Sequence, residues 1–275
     1  MKGKPKKQRD EVRDPRNNTR EPRGPRAANT VSNPSSRIYG VLPVLEALRA
    51  GNRRVDKVLI AEGSREKRVA EIIAACRQNS IAWARVPRET IAAQLGREAH
   101  HQGVMALTAS VAYADVDDVI DNARDPALFV ILDGVEDPRN LGAILRTAEC
   151  AGADGVIIPE RRAVGLTETV SKASAGAVEF IPVAKAQNLN RVIENLKERN
   201  IWVVGTSTDA PRSYTGWDWT RPTALVLGGE GTGLHRLVSE NCDVLVNVPM
   251  YGKIDSLNVS VAAGVILFEA RRQRS

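Results

Sequence analysis

Residues 128–146 read LFVILDGVEDPRNLGAILR and form the first strand and helix of a repeating βα pattern. The run before Asp133 is almost wholly apolar, which predicts a short strand buried on both faces. Pro138 and Asn140 then mark the start of a helix. The apolar stripe of this helix consists of Leu141, Leu145 and Ala148. A buried strand that leads into an amphipathic helix predicts the α/β class.

The same alternation continues to the end of the chain. Predicted strands cover residues 128–132, 155–158, 179–183, 201–205, 225–228 and 244–248, and the last helix covers about 258–272. Apolar strands separated by helices predict a parallel sheet covered on both faces. Because ligands bind at the carboxyl ends of such strands, we expect the chemistry in the segments that follow them.

A smaller α/β unit is predicted at residues 37–112. It has helices at 42–48 and 88–95, strands at 55–60, 81–86 and 104–109, and a helix whose apolar face holds Val69, Ile72, Ile73 and Cys76. Residues 113–126 carry five aspartates and predict a linker or linking helix before the main domain at 127–275.

The positive charge of the chain is concentrated in residues 1–36. This segment has ten Lys or Arg, four acidic residues and five prolines, so its net charge of +6 equals that of the whole chain. Because this segment has almost no large apolar residue, we expect it to be disordered. Either an arm that binds RNA phosphates or a solubilising extension fits this composition.

Other features exclude several classes of protein. No apolar run approaches the length of a membrane span, which is roughly 18 residues or more, and the N-terminus does not resemble a signal peptide. We therefore expect a cytoplasmic protein without a membrane partner. Cys76, Cys150 and Cys242 lie far apart in apolar segments, which argues against disulfides and a zinc site and leaves no predicted metal.

Three segments hold candidate functional residues. In the first, Asn140 is either a helix N-cap or a site residue. Arg146 follows Gly142 by one helical turn, and we interpret the glycine as a vacancy beneath the guanidinium that suits a phosphate or ribose. A solvated surface arginine is the alternative.

The second segment is LVLGGEGTGL at residues 225–234, with four glycines in six positions. Such density lets backbone approach a ligand closely. A phosphate cradle is the rival interpretation, but the spacing does not match the known phosphate loops, and Glu230 would repel a pyrophosphate. A turn that merely needs glycines is a further alternative.

The third segment is VPMYGKIDSLN at residues 248–258, which leads into an apolar helix. Ser256 and Asn258 lie at the predicted helix start, where either could be a cap. An oligomer interface is one way to cover this helix. Tyr214, Trp217 and Trp219 could stack on an extruded base, although packing against the body is at least as good an interpretation.

Together these segments resemble the SpoU/TrmH family of RNA ribose 2′-O-methyltransferases in the SPOUT superfamily. The resemblance rests on DPRNLGAILRTA, LVLGGEGTGL and VPMYGKIDSLNVSVAAG and covers about residues 127–273. Residues 37–110, with IYGV and HQGV, look like the family's substrate-binding domain. This arrangement is similar to the branch that modifies a guanosine in large-subunit (23S) ribosomal RNA; the basic tail is outside the family pattern.

The resemblance implies a deep trefoil knot, a homodimer formed through the C-terminal domain, and S-adenosylmethionine as cofactor. It implies RNA, and not DNA, as substrate. The positions that match the family's catalytic set are Asn140, Arg146, Glu230, Ser256 and Asn258. The implied cofactor-binding positions are Thr206, Gly228, Gly229, Val248, Met250 and Leu257.

A guanidinium is a poor proton acceptor, so we expect Arg146 to bind the target's phosphate and polarise the hydroxyl. Glu230, Ser256 and Asn258 would then fix the ribose and the proton path. Three alternatives remain: transfer RNA as substrate, a non-enzymatic RNA-binding protein, or a phosphate- or dinucleotide-binding enzyme that uses the glycine loop.

Overall fold

The computed structural model describes residues 36–64, 67–96 and 99–275. The predicted disordered tail lies outside these residues except for Ser36, which is instead the first residue of a strand. No helix in the described ranges is both long and apolar enough to cross a membrane.

The N-terminal unit is a four-stranded sheet with helices on both faces. Its strands, in chain order, are β1 (Ser36–Tyr39), β2 (Val55–Ala61), β3 (Ala82–Val86) and β4 (Val104–Thr108), and its helices are α1 (Val41–Ala50), α2 (Lys67–Gln78) and α3 (Arg88–Leu95). The spatial order is β1-β4-β2-β3, and only β2 and β3 are parallel neighbours. The predicted face of α2 is confirmed, since Val69, Ile72 and Cys76 are buried and Ile73 packs beside them.

The C-terminal unit is a seven-stranded parallel sheet with the order β7-β6-β5-β10-β8-β11-β9. Its strands are β5 (Leu128–Asp133), β6 (Gly155–Pro159), β7 (Val183–Ala186), β8 (Trp202–Thr206), β9 (Arg212–Ser213), β10 (Thr223–Gly228) and β11 (Val244–Asn247). Its helices are α4 (Val116–Asp121), α5 (Pro138–Cys150), α6 (Glu168–Ala173), α7 (Leu189–Glu198), α8 (Arg236–Asn241) and α9 (Val259–Gln273).

Apolar side chains cover both faces of this large sheet. One core lies between the sheet and α5, α6 and α9, and the other lies between the sheet and α4, α7 and α8. The predicted α/β class with a parallel sheet is confirmed. The stripe of α5 is confirmed as well, since Leu141, Leu145 and Ala148 are fully buried.

Two local predictions were wrong. The predicted strand at 179–183 begins only at Val183, because Glu179 ends a 3₁₀ turn with a buried carboxylate and Pro182 has no N–H to donate to a neighbouring strand. Cys150 is exposed at the end of α5 and is not a buried thiol.

The aromatic cluster packs against the body of the domain. Trp219 is fully buried and donates its indole N–H to the Tyr214 carbonyl at 2.7 Å, and Trp217 is buried against Trp202 with ring centroids 5.4 Å apart. These contacts favour the packing interpretation over base stacking.

A buried ion pair joins the two units. Arg53, which precedes β2, pairs with Glu179 of the C-terminal unit, and their side chains are 4% and 2% exposed. The neighbouring Asn52 side chain also donates to the Glu179 carbonyl. Burial raises the pKa of Glu179 more than the Arg53 guanidinium lowers it. The pair therefore fixes the position of the smaller unit at a considerable desolvation cost.

Arg53→Met is expected to destabilise the chain by about 3–5 kcal/mol at neutral pH, because it leaves the Glu179 carboxylate buried without a counter-charge. The folded state binds the Glu179 proton more tightly than the unfolded chain does, so stability falls as the pH rises above the unfolded pKa. The loss should therefore shrink at acidic pH. Urea unfolding of the wild type and the variant at neutral and at acidic pH measures this loss of stability.

The double variant Arg53→Met/Glu179→Met is the control, since it removes both charges. It should recover most of the lost stability. An equally large loss in the double variant would contradict the electrostatic explanation and indicate lost packing.

Candidate active site

A cavity of about 830 Å³ lies at the carboxyl ends of β8, β10 and β11. Its walls are the segments that follow these strands, as expected for a parallel sheet. All six residues that the resemblance implied for the cofactor line it: Thr206, Gly228, Gly229, Val248, Met250 and Leu257. The catalytic candidates Glu230, Ser256 and Asn258 line it too.

The glycines of the loop after β10 are required by close backbone contacts. A Cβ on Gly228 would lie 2.1 Å from the Gly233 carbonyl carbon, and one on Gly229 would lie 2.3 Å from the Gly134 oxygen. Gly231 and Gly233 have φ values of 77° and 64°, which favour glycine. The loop thus folds back on itself, and its glycines add no side-chain bulk to the cavity wall.

A buried carboxylate holds the far end of this glycine loop. Asp133, the last residue of β5, is 5% exposed and accepts hydrogen bonds from the His235 backbone N at 2.7 Å and from His235 Nδ1 at 2.9 Å. His235 directly follows Leu234, which lines the cavity. Neither residue was predicted from the sequence, although an aspartate at the end of an apolar strand is a usable signal.

Asp133→Ala is expected to lower the free energy of unfolding by about 1–3 kcal/mol, because the His235 N–H loses a charged acceptor. It should also weaken ligand binding in the cavity about tenfold. A shift of the glycine loop that costs about 1.4 kcal/mol of binding free energy has that effect. His235→Ala keeps the backbone hydrogen bond and should have a smaller effect on both. Thermal unfolding measures the effect on stability, and calorimetry measures the effect on ligand binding. An effect of His235→Ala that equals or exceeds that of Asp133→Ala would refute this explanation.

Three polar side chains from the three sequence segments meet beside the cavity. Asn258 Nδ2 donates to Asn140 Oδ1 and to Glu230 Oε1, each at 3.1 Å, and Asn140 Nδ2 donates to the same Glu230 oxygen. Asn140 is only 8% exposed. The two amides fix the Glu230 carboxylate and leave its second oxygen free of protein hydrogen bonds within the described residues.

The N-cap interpretation of Asn140 was wrong and that of Asn258 was right. Asp137 caps α5 by accepting from Arg139 N at 2.7 Å, so Asn140 is free to join the polar cluster. Asn258 caps α9 through its Oδ1, which accepts from Ser260 N at 2.9 Å, while its amide nitrogen belongs to the cluster. Capping and cluster contacts therefore use different atoms of one side chain.

The other two catalytic candidates have weaker contacts. Ser256 lines the cavity and donates to Asp255 at 3.2 Å. Arg146 is exposed on α5, lines neither this cavity nor the smaller one beside it, and forms no hydrogen bond or ion pair within the described part of the chain. The structure does not bring Arg146 together with the other four.

The predicted vacancy beneath Arg146 was wrong. A Cβ on Gly142 would lie 2.4 Å from the Ala173 Cβ and 2.9 Å from the Ser174 nitrogen. The glycine therefore allows α5 and α6 to pack closely, and it leaves no space for a phosphate.

A buried polar atom in the cavity wall has no protein partner. The Oδ1 of Asn247, at the end of β11, is buried without a hydrogen bond among the described residues. Since buried acceptors are almost always paired, this oxygen suits an N–H or O–H donor of a bound ligand. A cavity with glycine backbone in one wall and a fixed carboxylate beside it can hold a cosubstrate next to a second, hydroxyl-bearing reactant.

The comparisons with known proteins place this enzyme in a family. The model of the SpoU rRNA methylase family matches residues 127–268, and a model described as RNA 2′-O ribose methyltransferase substrate binding matches residues 37–114. A TrmH-family tRNA/rRNA methyltransferase of Bacillus subtilis is 44% identical over 86% of this chain and 96% of its own length. A 23S rRNA (guanosine-2′-O-)-methyltransferase of Pseudomonas syringae is 43% identical over 87% and 96%.

Solved structures agree with this assignment. The SpoU methyltransferase AviRb of Streptomyces viridochromogenes, solved with the cofactor AdoMet, has a TM-score of 0.74 and 26% identity, covering 87% of this chain and 90% of that one. The chain belongs to the SpoU rRNA methylase family. The predictions of an RNA 2′-O-methyltransferase that uses S-adenosylmethionine are thereby confirmed.

Proposed function

We propose that this enzyme methylates the 2′-hydroxyl of a guanosine in large-subunit ribosomal RNA. The observation that carries the proposal is the Asn140, Glu230 and Asn258 cluster, which adjoins the larger cavity and leaves one Glu230 carboxylate oxygen without a hydrogen bond among the described residues. The Pseudomonas relative, named for this reaction on 23S rRNA, supports the choice of RNA and nucleotide.

The cavity fits the proposed cofactor. Its volume of about 830 Å³ suits a ligand of this size, and glycine main chain forms one wall. The unpaired Asn247 Oδ1 offers an acceptor for an amino group. We assign Thr206, Gly228, Gly229, Val248, Met250 and Leu257 to this site. When bound, S-adenosylmethionine supplies an electrophilic methyl group on a positively charged sulfur.

The polar cluster orients the attacking hydroxyl. Glu230 presents its free oxygen as the acceptor for the 2′-hydroxyl proton, and the two amides keep that carboxylate in place. Ser256, beside Asn258, is a further hydrogen-bonding group for the ribose. The exposed Arg146 guanidinium binds the phosphate of the target nucleotide. Alignment of the hydroxyl with the methyl group is the main catalytic contribution.

We assign RNA capture to residues 37–112, joined through residues 113–126 to the catalytic domain at 127–275. The neutral balance of charge after residue 36 means that this capture depends on local patches and the basic tail. Ribosomal RNA as substrate implies a cytoplasmic location.

We also propose a trefoil knot and a homodimer formed through the C-terminal domain. Support for the knot comes from the position of β8 between β10 and β11, with the segments after β10 and β11 lining one cavity. Support for the dimer comes from α9, where Val261 and Phe268 are each 51% exposed on one helical face.

The decisive experiment maps 2′-O-methylated nucleotides in RNA from cells with and without this protein. One large-subunit guanosine should lose its methyl group and regain it with the wild-type chain but not with Glu230→Gln. A site in transfer RNA would overturn the substrate assignment. Tight RNA binding with no transfer of tritium from labelled cofactor would indicate the non-enzymatic alternative.

A further inference from the structure

A second, smaller cavity of about 290 Å³ lies between the loop after β5 and the glycine loop. It is lined by Gly134, Val135, Glu136, Asp137, Asn140, Glu230 and Thr232. Glu230 and Thr232 line the larger cavity as well, so the two cavities meet at the carboxylate of the polar cluster. A nucleotide with its ribose at that cluster would have room on this side for its base.

The charged side chains that line this cavity are all acidic: Glu136, Asp137 and Glu230. Asp137 Oδ1 is occupied by the cap of α5, and Glu230 Oε1 is occupied by the amides of Asn140 and Asn258. The Glu136 carboxylate is exposed and has no hydrogen bond or ion pair within the described residues. No lysine, arginine or histidine lines the cavity. A phosphate or other anion would therefore be repelled here, whereas a group with N–H donors would be attracted.

The size of the cavity suits one planar base. Sites for small molecules usually have volumes of about 300–1,000 Å³, so this cavity, at the lower limit, suits a base better than a whole nucleotide. RNA-modifying proteins commonly take an unstacked base into such a pocket and read its Watson–Crick edge.

We propose that this cavity holds the base of the target nucleotide and that Glu136 selects guanine. Guanine has two adjacent donors on its Watson–Crick edge, N1–H and the 2-amino group, which match the two oxygens of one carboxylate. Adenine and cytosine place an acceptor beside their amino group, and uracil has a single N–H between two carbonyls. This inference rests on the proposed ribose methylation and extends it by naming the base and the residue that reads it.

The test compares guanosine and inosine at the mapped target position of an RNA fragment. Inosine keeps N1–H but lacks the 2-amino group, so it loses one hydrogen bond to the carboxylate. Wild-type kcat/KM should be about 10- to 100-fold lower for inosine, as expected for a lost hydrogen bond to a charged group. In Glu136→Ala, which removes both hydrogen bonds, guanosine methylation should fall by at least this factor, and the ratio of the two substrates should approach one.

Glu160→Ala is the matched control, because Glu160 is an exposed carboxylate after β6 that lines neither cavity. It should keep the wild-type ratio. Calorimetric binding of S-adenosylmethionine should be unchanged in Glu136→Ala, which shows that the chain is folded and the larger cavity intact.

Two results would overturn the assignment of Glu136 while leaving ribose methylation in place. One is an unchanged guanosine-to-inosine ratio in Glu136→Ala, and the other is a mapped target that is not a guanosine. A wild-type enzyme that binds the cofactor but methylates no RNA would overturn both this inference and the proposed function.

Discussion

Arg146→Ala is expected to lower kcat/KM for RNA methylation about 10²- to 10³-fold, as the loss of one charge-stabilising group from an active site commonly does. The guanidinium is exposed and has no hydrogen bond or ion pair in the described chain, so its removal should leave the fold intact. Because Arg146 does not line the larger cavity, the affinity for S-adenosylmethionine should stay within about twofold of wild type, less than the 1.4 kcal/mol of a tenfold change.

Two variants separate this role from general charge effects. Arg146→Lys keeps the charge but loses the planar fork, and should recover only part of the activity. Arg191→Ala removes another exposed arginine, on α7, and should be close to wild type. A large loss of cofactor binding in Arg146→Ala would show that the residue acts on the methyl donor and not on the RNA.

Gly228→Ala is expected to weaken cofactor binding more than about 100-fold and to abolish methylation. The new Cβ would lie 2.1–2.4 Å from three main-chain atoms of Gly233 and Leu234, and backbone cannot rotate away as a side chain can. The loop must therefore shift, and Glu230 shifts with it. A shift of the loop that costs about 3 kcal/mol of binding free energy corresponds to this loss of cofactor affinity. Calorimetry with S-adenosylmethionine and a tritium-transfer assay measure the two effects.

Gly216→Ala is the matched substitution. Its Cβ would lie 3.6 Å from the Arg212 Cγ, an ordinary contact, and Gly216 is not a positive-φ position. Near-normal binding is expected there. If Gly228→Ala also bound the cofactor normally, the close loop packing would not be what shapes the cavity.

The sequence allowed most of the large sheet to be predicted because those strands are short apolar runs that need no tertiary information to recognise. The two-residue strand β9 has no apolar residue and was not predicted. The start of β7 was harder to predict. The 179–183 segment has strand-like composition, but a long-range partner, Arg53, holds Glu179 in a buried turn. The four-residue strand β1 was missed because it adjoins a polar tail and is defined by its pairing with β4.

The candidate site was predicted in the same uneven way. The resemblance of the three motifs to the SpoU/TrmH family selected Asn140, Glu230 and Asn258, which the fold then brings within hydrogen-bonding distance. Their partners could not be read from spacing, since Asn140 and Asn258 are 118 positions apart. Gly142 was misinterpreted for the same reason: what lies beneath a helical glycine depends on which helix packs there, and that helix is α6.

The double use of Asn258 restricts which residues can occupy that position. Its oxygen begins α9 while its nitrogen donates to Asn140 and Glu230. Aspartate would keep the cap but place a second negative charge against Glu230, serine would cap without reaching the cluster, and glutamine has one methylene too many to do both. A saturation library at this codon should therefore return asparagine almost alone under selection for methylation, whereas selection for folding alone should also return aspartate, serine and threonine.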